Sequence, residues 1–560
     1  MKKIRLQLII ILVTAVIVGI LLIVQKPISG SLLSAPSAGG VYTEALIGEF
    51  GRLNPVLDLH NQADHDIDQL IFSGLVKYDS DGLPLPDVAE SWGISKDGTI
   101  YNFALRSGIV WHDGDPLTVD DIIFTVDLFR DPSTLIPEDL RTFWTEVAVE
   151  KIDDTTIQFR LPEPYAPFLD YVGFGILPAH LLDGKTVDQL VEDPFNLQPI
   201  GTGPYRFDRL IINKSQVAGI VLKLNENYYG DSPYLQQVIF NYYPDSASAF
   251  EAYKSGEVKG ISQVTADVLP EVLMETNIAS HTAMLNKLTL VYLNLNNSET
   301  PFFADVNVRQ ALILSLNRTA MINKLVGGQA VVADGPIMLG GWAYFSGVTQ
   351  YDFDQERARQ ILAAAKYSIP AEGGSLKSKD GVVLQFQLLY PNDDFHKAMA
   401  EQIQKDWAGI SVQVDIMPMA YDQIISDYLI PRTYQAALVE LNMTGSHDPD
   451  PYTFWDSAMV TGGQNYSQWD NKVASEYLEL ARTTPDVGER AKLYRNFQVL
   501  FSREVPAIPL FYNVYTFSID RQMRGVTVGP LFNISDRLIS LPRWNLVTQR
   551  GVKEVSSEGN

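Results

Sequence analysis

The chain has 560 residues and a formal net charge of −24, which excludes a single small core and argues against nucleic acid as a partner. It contains no cysteine, so disulfides, thiolate catalysis, cysteine-based zinc sites and a lipid-modified N-terminal cysteine are excluded. Hydrophobic residues make up 46%, with 26 Tyr and 25 Phe, enough for several cores and an aromatic-lined pocket.

Lys2, Lys3 and Arg5 precede an uncharged apolar run from Leu8 to Val24. These 17 residues exceed the apolar part of a cleaved signal and just suffice to span a bilayer, with the basic end held in the cytoplasm. An uncleaved signal-anchor helix is expected over 1–25 and a flexible tether over 26–40, around "SAPSAGG", with the remainder outside the cytoplasm. Cleavage within the tether is the other reading. "LHNQADHDIDQLIF" (59–72) then brings His60 and His65 near three aspartates. Their five-residue spacing does not align two metal ligands on a helix face, so the stretch reads as a polar loop leading into a helix at "IDQLIF". "IYNFALR" (100–106) alternates as a half-buried strand, and "HDGDP" after it is turn chemistry. His112 and Asp113 there are read as satisfying the turn rather than as an acid–base pair. Thr118 opens a helix with Asp121 as its capping-box acid. "DTTIQFRL" (154–161) is a strand, and "GTGPY" (201–205) a turn before another.

"KLTLVYLNLNN" (287–297) is a strand, and the spacing of Val308, Leu312 and Leu316 predicts a single helix after it. Helices over 354–365 and 395–409 alternate with strands over 382–390 and 410–418, and 505–520 is an extended apolar run. This order is α/β. The nucleophile elbow, zinc-protease helix, phosphate loop and dinucleotide fingerprint are all missing from the sequence, which weighs against an enzyme.

Several segments, in this order, resemble extracytoplasmic solute-binding proteins of family 5, the peptide-, dipeptide- and nickel-binding components of ABC importers. They are "LNPVLD" (53–58), "LIFSGLVKYDSDGLPLPDVAESWGISKDGTIYNFALRSGIVWHDGDPLTVDDIIFTV" (70–126), "GTGPYRF" (201–207), "YLNLNNSETPFFADVNVRQALILSLNR" (292–318), "YDFDQERARQILAAA" (351–365), "DPDPYTFW" (448–455), "GGQNYSQWDN" (462–471) and "REVPAIPLFY" (503–512). The resemblance implies a two-lobed periplasmic-binding-protein fold of type II, in its large three-subdomain variant, behind the N-terminal transmembrane helix. Lobe I is expected over 41–75 and 201–287 with an inserted subdomain over 76–200, lobe II over 288–515, and a return to lobe I with a tail over 516–560. It implies a monomer without cofactor or metal that captures peptides between hinged lobes and delivers them to permease and ATPase subunits. A non-peptide solute such as a nickel chelate or oligosaccharide, or less readily hydrolysis by an extracellular enzyme, are the competing readings.

Peptide binders of the family anchor the ligand's amino terminus on a carboxylate in a pattern resembling W-x-A-D-Y-P-D-P. Matching its P-D-P to Pro449-Asp450-Pro451 puts Asp448 at the Tyr position and His447 at the anchor position. Either Asp448 takes over the anchor, or the ligand lacks a free amino terminus. Further ligand-contact candidates are Asp450, Asn465, Tyr466, Trp342 in "GGWAYF", Trp455 and Trp469 for stacking, and Arg432 for a ligand carboxylate.

Overall fold

Two long strands, Ile278–Leu293 and Ala507–Asp520, pair antiparallel along almost their whole length and belong to both halves of the molecule. The computed structural model describes residues 34–370 and 374–550. The expected signal anchor lies outside the described residues; among them, no helix is long and apolar enough to cross a membrane.

The paired strands sit in the middle of an eleven-stranded mixed sheet. On one side lie Ala436–Asn442, Gln385–Pro391 and Gln413–Met419; on the other lie Gly260–Ile261, Val41–Ile47, Gln237–Tyr243, Gln216–Leu224 and Tyr205–Asn213. Ala330–Val332 adds a short strand to Ala507–Asp520. A separate antiparallel four-stranded sheet runs Ala89–Ile94, Ile100–Leu105, Thr156–Arg160, Ala148–Asp153. Both alternating patterns read as strands from sequence, at 100–106 and 154–161, fall in this sheet.

The apolar residues sort into cores that define the halves. One core joins residues between Tyr42 and Phe240 to the closing segment Tyr515–Trp544. Two others draw on residues 284–512, with Phe532 as an intruder from the closing segment. The first half holds a fully buried ion triad. Arg537 donates to Glu44 at 2.7 Å and to Asp66 at 2.8 Å, and all three side chains are at most 2% exposed.

Most predicted helices and strands form where expected, including Val119–Arg130 with its Thr118–Asp121 capping box, Gln355–Ala364 and Asp394–Ala408. Two differ. The helix at "IDQLIF" begins earlier, at Gln62, because Asn61 caps it by accepting from the N–H groups of Ala63 and Asp64. His65 is therefore helical and pairs with Asp58 at 2.8 Å. The single helix after residue 305 is two, Val306–Leu314 and Arg318–Leu325, because Asn317 caps the second by accepting from the Ala320 N–H.

The turn at "HDGDP" is structural. The His112 ring bridges the Gly203 carbonyl at 3.1 Å and the Gly201 N–H at 3.2 Å. Burial pushes it down to about 4, so it stays neutral, as a ring that both donates and accepts must. Gly201 is obligatory there, since a Cβ would lie 2.0 Å from the Ile71 carbonyl oxygen.

Candidate functional site

Where the paired strands pass from one half to the other, their register breaks. Met284 faces Val514 and Leu288 faces Tyr512, so Leu285, Asn286 and Lys287 oppose Asn513 alone. The bulge is tied to both halves. The Asn286 N–H donates to the Leu531 carbonyl at 3.1 Å, and its carbonyl accepts from the Met443 N–H at 2.9 Å. The Asn286 amide donates to the Met443 carbonyl at 3.1 Å. Met443 opens the loop that carries His447, Asp448 and Asp450, directly after strand Ala436–Asn442.

Neither aspartate of this loop is free. Asp448 takes a bidentate pair from Arg490, at 2.6 and 2.8 Å, and Arg490 is held further by donating to the Ala481 carbonyl and the Tyr494 hydroxyl. The fork geometry matches a planar guanidinium to a planar carboxylate. Asp450 accepts from Arg482 at 2.9 Å. Arg482 lies over Tyr452 of its own half at 4.1 Å and over Tyr165 of the first half at 5.1 Å.

His447 points the other way, into the first half. Its ring stacks on Tyr78 at 3.8 Å and 4° between planes. Its Nε2 is 3.3 Å from Asp536 and its Nδ1 3.6 Å from Asp170. Its N–H donates to Asp170 at 3.0 Å, the Ser446 hydroxyl donates to Asp170 at 2.6 Å, and the Gly445 N–H to the Phe532 carbonyl at 2.7 Å. Phe532 also covers Gly82, whose φ of 84° needs glycine and whose Cβ would meet the ring at 2.8 Å. Burial alone would lower the imidazole, but Asp536 and Asp170 raise it to about 10.

This has a pH signature. A histidine raised from 6.5 to about 10 contributes its contact fully below pH 6.5 and loses it as pH climbs toward about 10. The melting temperature is expected to fall across that window, with a limiting slope of about 1.4 kcal/mol per pH unit. His447→Gln should flatten the profile; an equally steep variant profile would remove His447 as its cause.

Among the remaining candidates, Trp342 is half-buried at the cleft, its N–H donating to the Asp81 carbonyl of the first half at 3.0 Å. With Asn286, Met338, Met443, Pro449 and Phe532 it lines a cavity of about 10 Å³, room for one water. The others are drawn into structural work. Trp455 is 1% exposed and packs edge-on against Phe501. Trp469 is 3% exposed and donates its indole N–H to Glu504. Both indoles are packed into the core beneath the loop. Asn465 is fully buried, with its amide donating to the carbonyls of Asp456 and Trp469. Arg432 donates to the carbonyls of Leu429, Ile430 and Gly463 and lies over Tyr466. Tyr466 meets Tyr292 edge-on at 5.7 Å. Asp448 and Asp450 are likewise paired with arginines.

Residues 84–466 match the model for bacterial extracellular solute-binding proteins, family 5, middle region. The chain belongs to this family. As a family 5 protein it binds a solute outside the cytoplasm, and its relatives are binding proteins, not enzymes. It is 26% identical to a dipeptide-binding protein of Escherichia coli K12, over 83% of this chain and 90% of the relative. It is also 26% identical to the nickel-binding periplasmic protein of the same organism, over 82% of this chain and 87% of the relative. The structure of HbpA2 from Haemophilus parasuis shares the fold, with a TM-score of 0.78 at 22% identity, covering 88% of this chain and 98% of that one. Equal identity to peptide and nickel binders leaves the solute of this family 5 protein to be read from its own site.

Sequence reasoning missed Tyr78, Asp170, Asp536, Phe532, Arg482 and Arg490. Asp536 and Asp170 stand in short 3-10 helices, Ile534–Leu538 and Ala166–Val172, that carry no periodic signal. Arg490 is legible only as one of several polar residues on helix Val487–Glu504.

Proposed function

We infer that the protein captures peptides between two lobes hinged on the paired strands and hands them to the permease of an ABC importer. The lobes are taken as lobe I, from 41–75 and 201–287 with the inserted 76–200, and lobe II, from 288–515, with 516–560 returning to lobe I. An anchor at residues 8–24, read from sequence alone, keeps the protein at the membrane. The observation that carries the reading is the bulge at 285–287 in strands shared by both halves, tied directly to the loop that faces the cleft. The cavity beside Trp342, about 10 Å³, is too small for a dipeptide, so a dipeptide enters there only when its walls part.

Thermal melting with a pool of short peptides tests this. Binding to the folded form alone raises the midpoint, by the equivalent of about 2.7 kcal/mol at a hundredfold excess over Kd. A shift with nickel chelates or oligosaccharides and none with peptides overturns the peptide assignment, and hydrolysis products in the same tubes overturn binding without catalysis.

A further inference from the structure

We propose that Tyr78, Asp170 and Asp536 form a receptacle for a planar organic cation, that His447 of the facing half is its resident occupant, and that His447 thereby makes the protein indifferent to a solute's amino terminus at this position. The proposal rests on the solute-binding reading but concerns what that site selects.

The receptacle has the parts that recognise a planar cation. Tyr78 offers a flat face, parallel to the occupant at 3.8 Å. Asp170 and Asp536 approach the ring from its two nitrogens, at 3.6 and 3.3 Å. Each carboxylate is fixed independently of the ring. Asp536 accepts from the N–H groups of Phe532 and Asn533, at 3.0 and 2.8 Å, and Asp170 from Ser446 and the His447 N–H. The Tyr78 hydroxyl donates to the Leu169 carbonyl at 2.9 Å, which holds the ring in place.

The pairing sets the selectivity. Both carboxylates already meet the two ring nitrogens, so the occupied receptacle offers no second cation-binding site of the same geometry. Asp448, the nearest further carboxylate on the loop, is already satisfied by Arg490. A solute ammonium therefore finds no unpaired acid here, while an acylated amino terminus loses nothing. Removing the imidazole reverses this by leaving two acids and an aromatic face unfilled.

The first test needs no solute. In the full-length protein at about pH 6, His447→Gly is expected to melt lower than the native protein, and millimolar imidazole should restore several degrees to the variant and none to the native chain. Adding Asp170→Asn and Asp536→Asn to His447→Gly should abolish the restoration. Equal imidazole shifts in native and variant proteins, or restoration that survives loss of both acids, overturns the receptacle. The second test uses a short peptide with free or acetylated amino terminus. The native protein should bind both within about threefold, whereas His447→Gly should prefer the free form by tenfold or more. His447→Ala, which also empties the receptacle and spares the backbone the freedom of glycine, supplies both comparisons where the glycine variant does not fold. A native preference of tenfold for the free peptide overturns the selectivity. If no peptide binds any variant, the peptide reading fails, and the imidazole arm still decides the receptacle.

Discussion

Arg490→Met is expected to destabilise the protein by about 3–5 kcal/mol with no solute present, because Asp448 is left buried without its partner. Arg490 is 3% exposed and fixes the loop of His447 to helix Val487–Glu504 through both oxygens of Asp448. Asp448→Asn should cost a similar amount, again in the solute-free protein, since it strands the guanidinium instead. Replacing both by apolar residues of like volume should recover most of the loss. Denaturant midpoints of the two single variants and the double variant give the coupling. If Asp448→Asn leaves the solute-free midpoint unchanged and lowers only peptide affinity, Asp448 is the ligand's anchor after all.

Arg537→Met is the second large effect, again about 3–5 kcal/mol and now in the first half. It leaves Glu44 and Asp66 facing each other without a cation, and the Arg537 side chain is 0% exposed, so no solvent compensates. Burial already raises Glu44 despite Arg537 and the Tyr42 hydroxyl that donates to it. Without the guanidinium, both acids favour their neutral forms, so the deficit should be smallest at low pH and grow as pH rises. Thermal melts of native and variant proteins at several pH values above about 4.5 check this, and a pH-independent deficit would mean that lost packing, not charge, is responsible.

The local elements were legible because they rest on local chemistry. Thr118 with Asp121 writes a capping box, and the alternation of Tyr101, Phe103 and Leu105 writes a half-buried strand; both form. The importance of the loop at 444–455 was legible too, as were the two readings at its centre. How the side chains at its centre are partnered was not, because that depends on residues far along the chain. Arg490 lies 42 residues from Asp448, and Asp170 lies 277 residues from His447. Two adjacent residues of one loop face opposite halves, and no periodicity records that. The burial of two aromatic candidates was illegible for a related reason. Trp455 and Trp469 stand in motif-bearing segments, but a large indole near a cleft is equally suited to the core beneath it, and helix Val487–Glu504 supplies Phe497 and Phe501 to receive them.

The Arg537 triad also bears on how the chain is made. Glu44 and its guanidinium partner are separated by 493 positions, so a ribosome adding 5–20 residues per second reaches Arg537 roughly 25–100 s after Glu44. Throughout that interval Glu44 and Asp66 lack the cation that lets them be buried charged, and the first half also lacks the apolar residues of Tyr515–Trp544 that complete its core. Because structural requirements of the first half lie at Tyr515–Trp544, that half cannot be completed until the second half has also been synthesised.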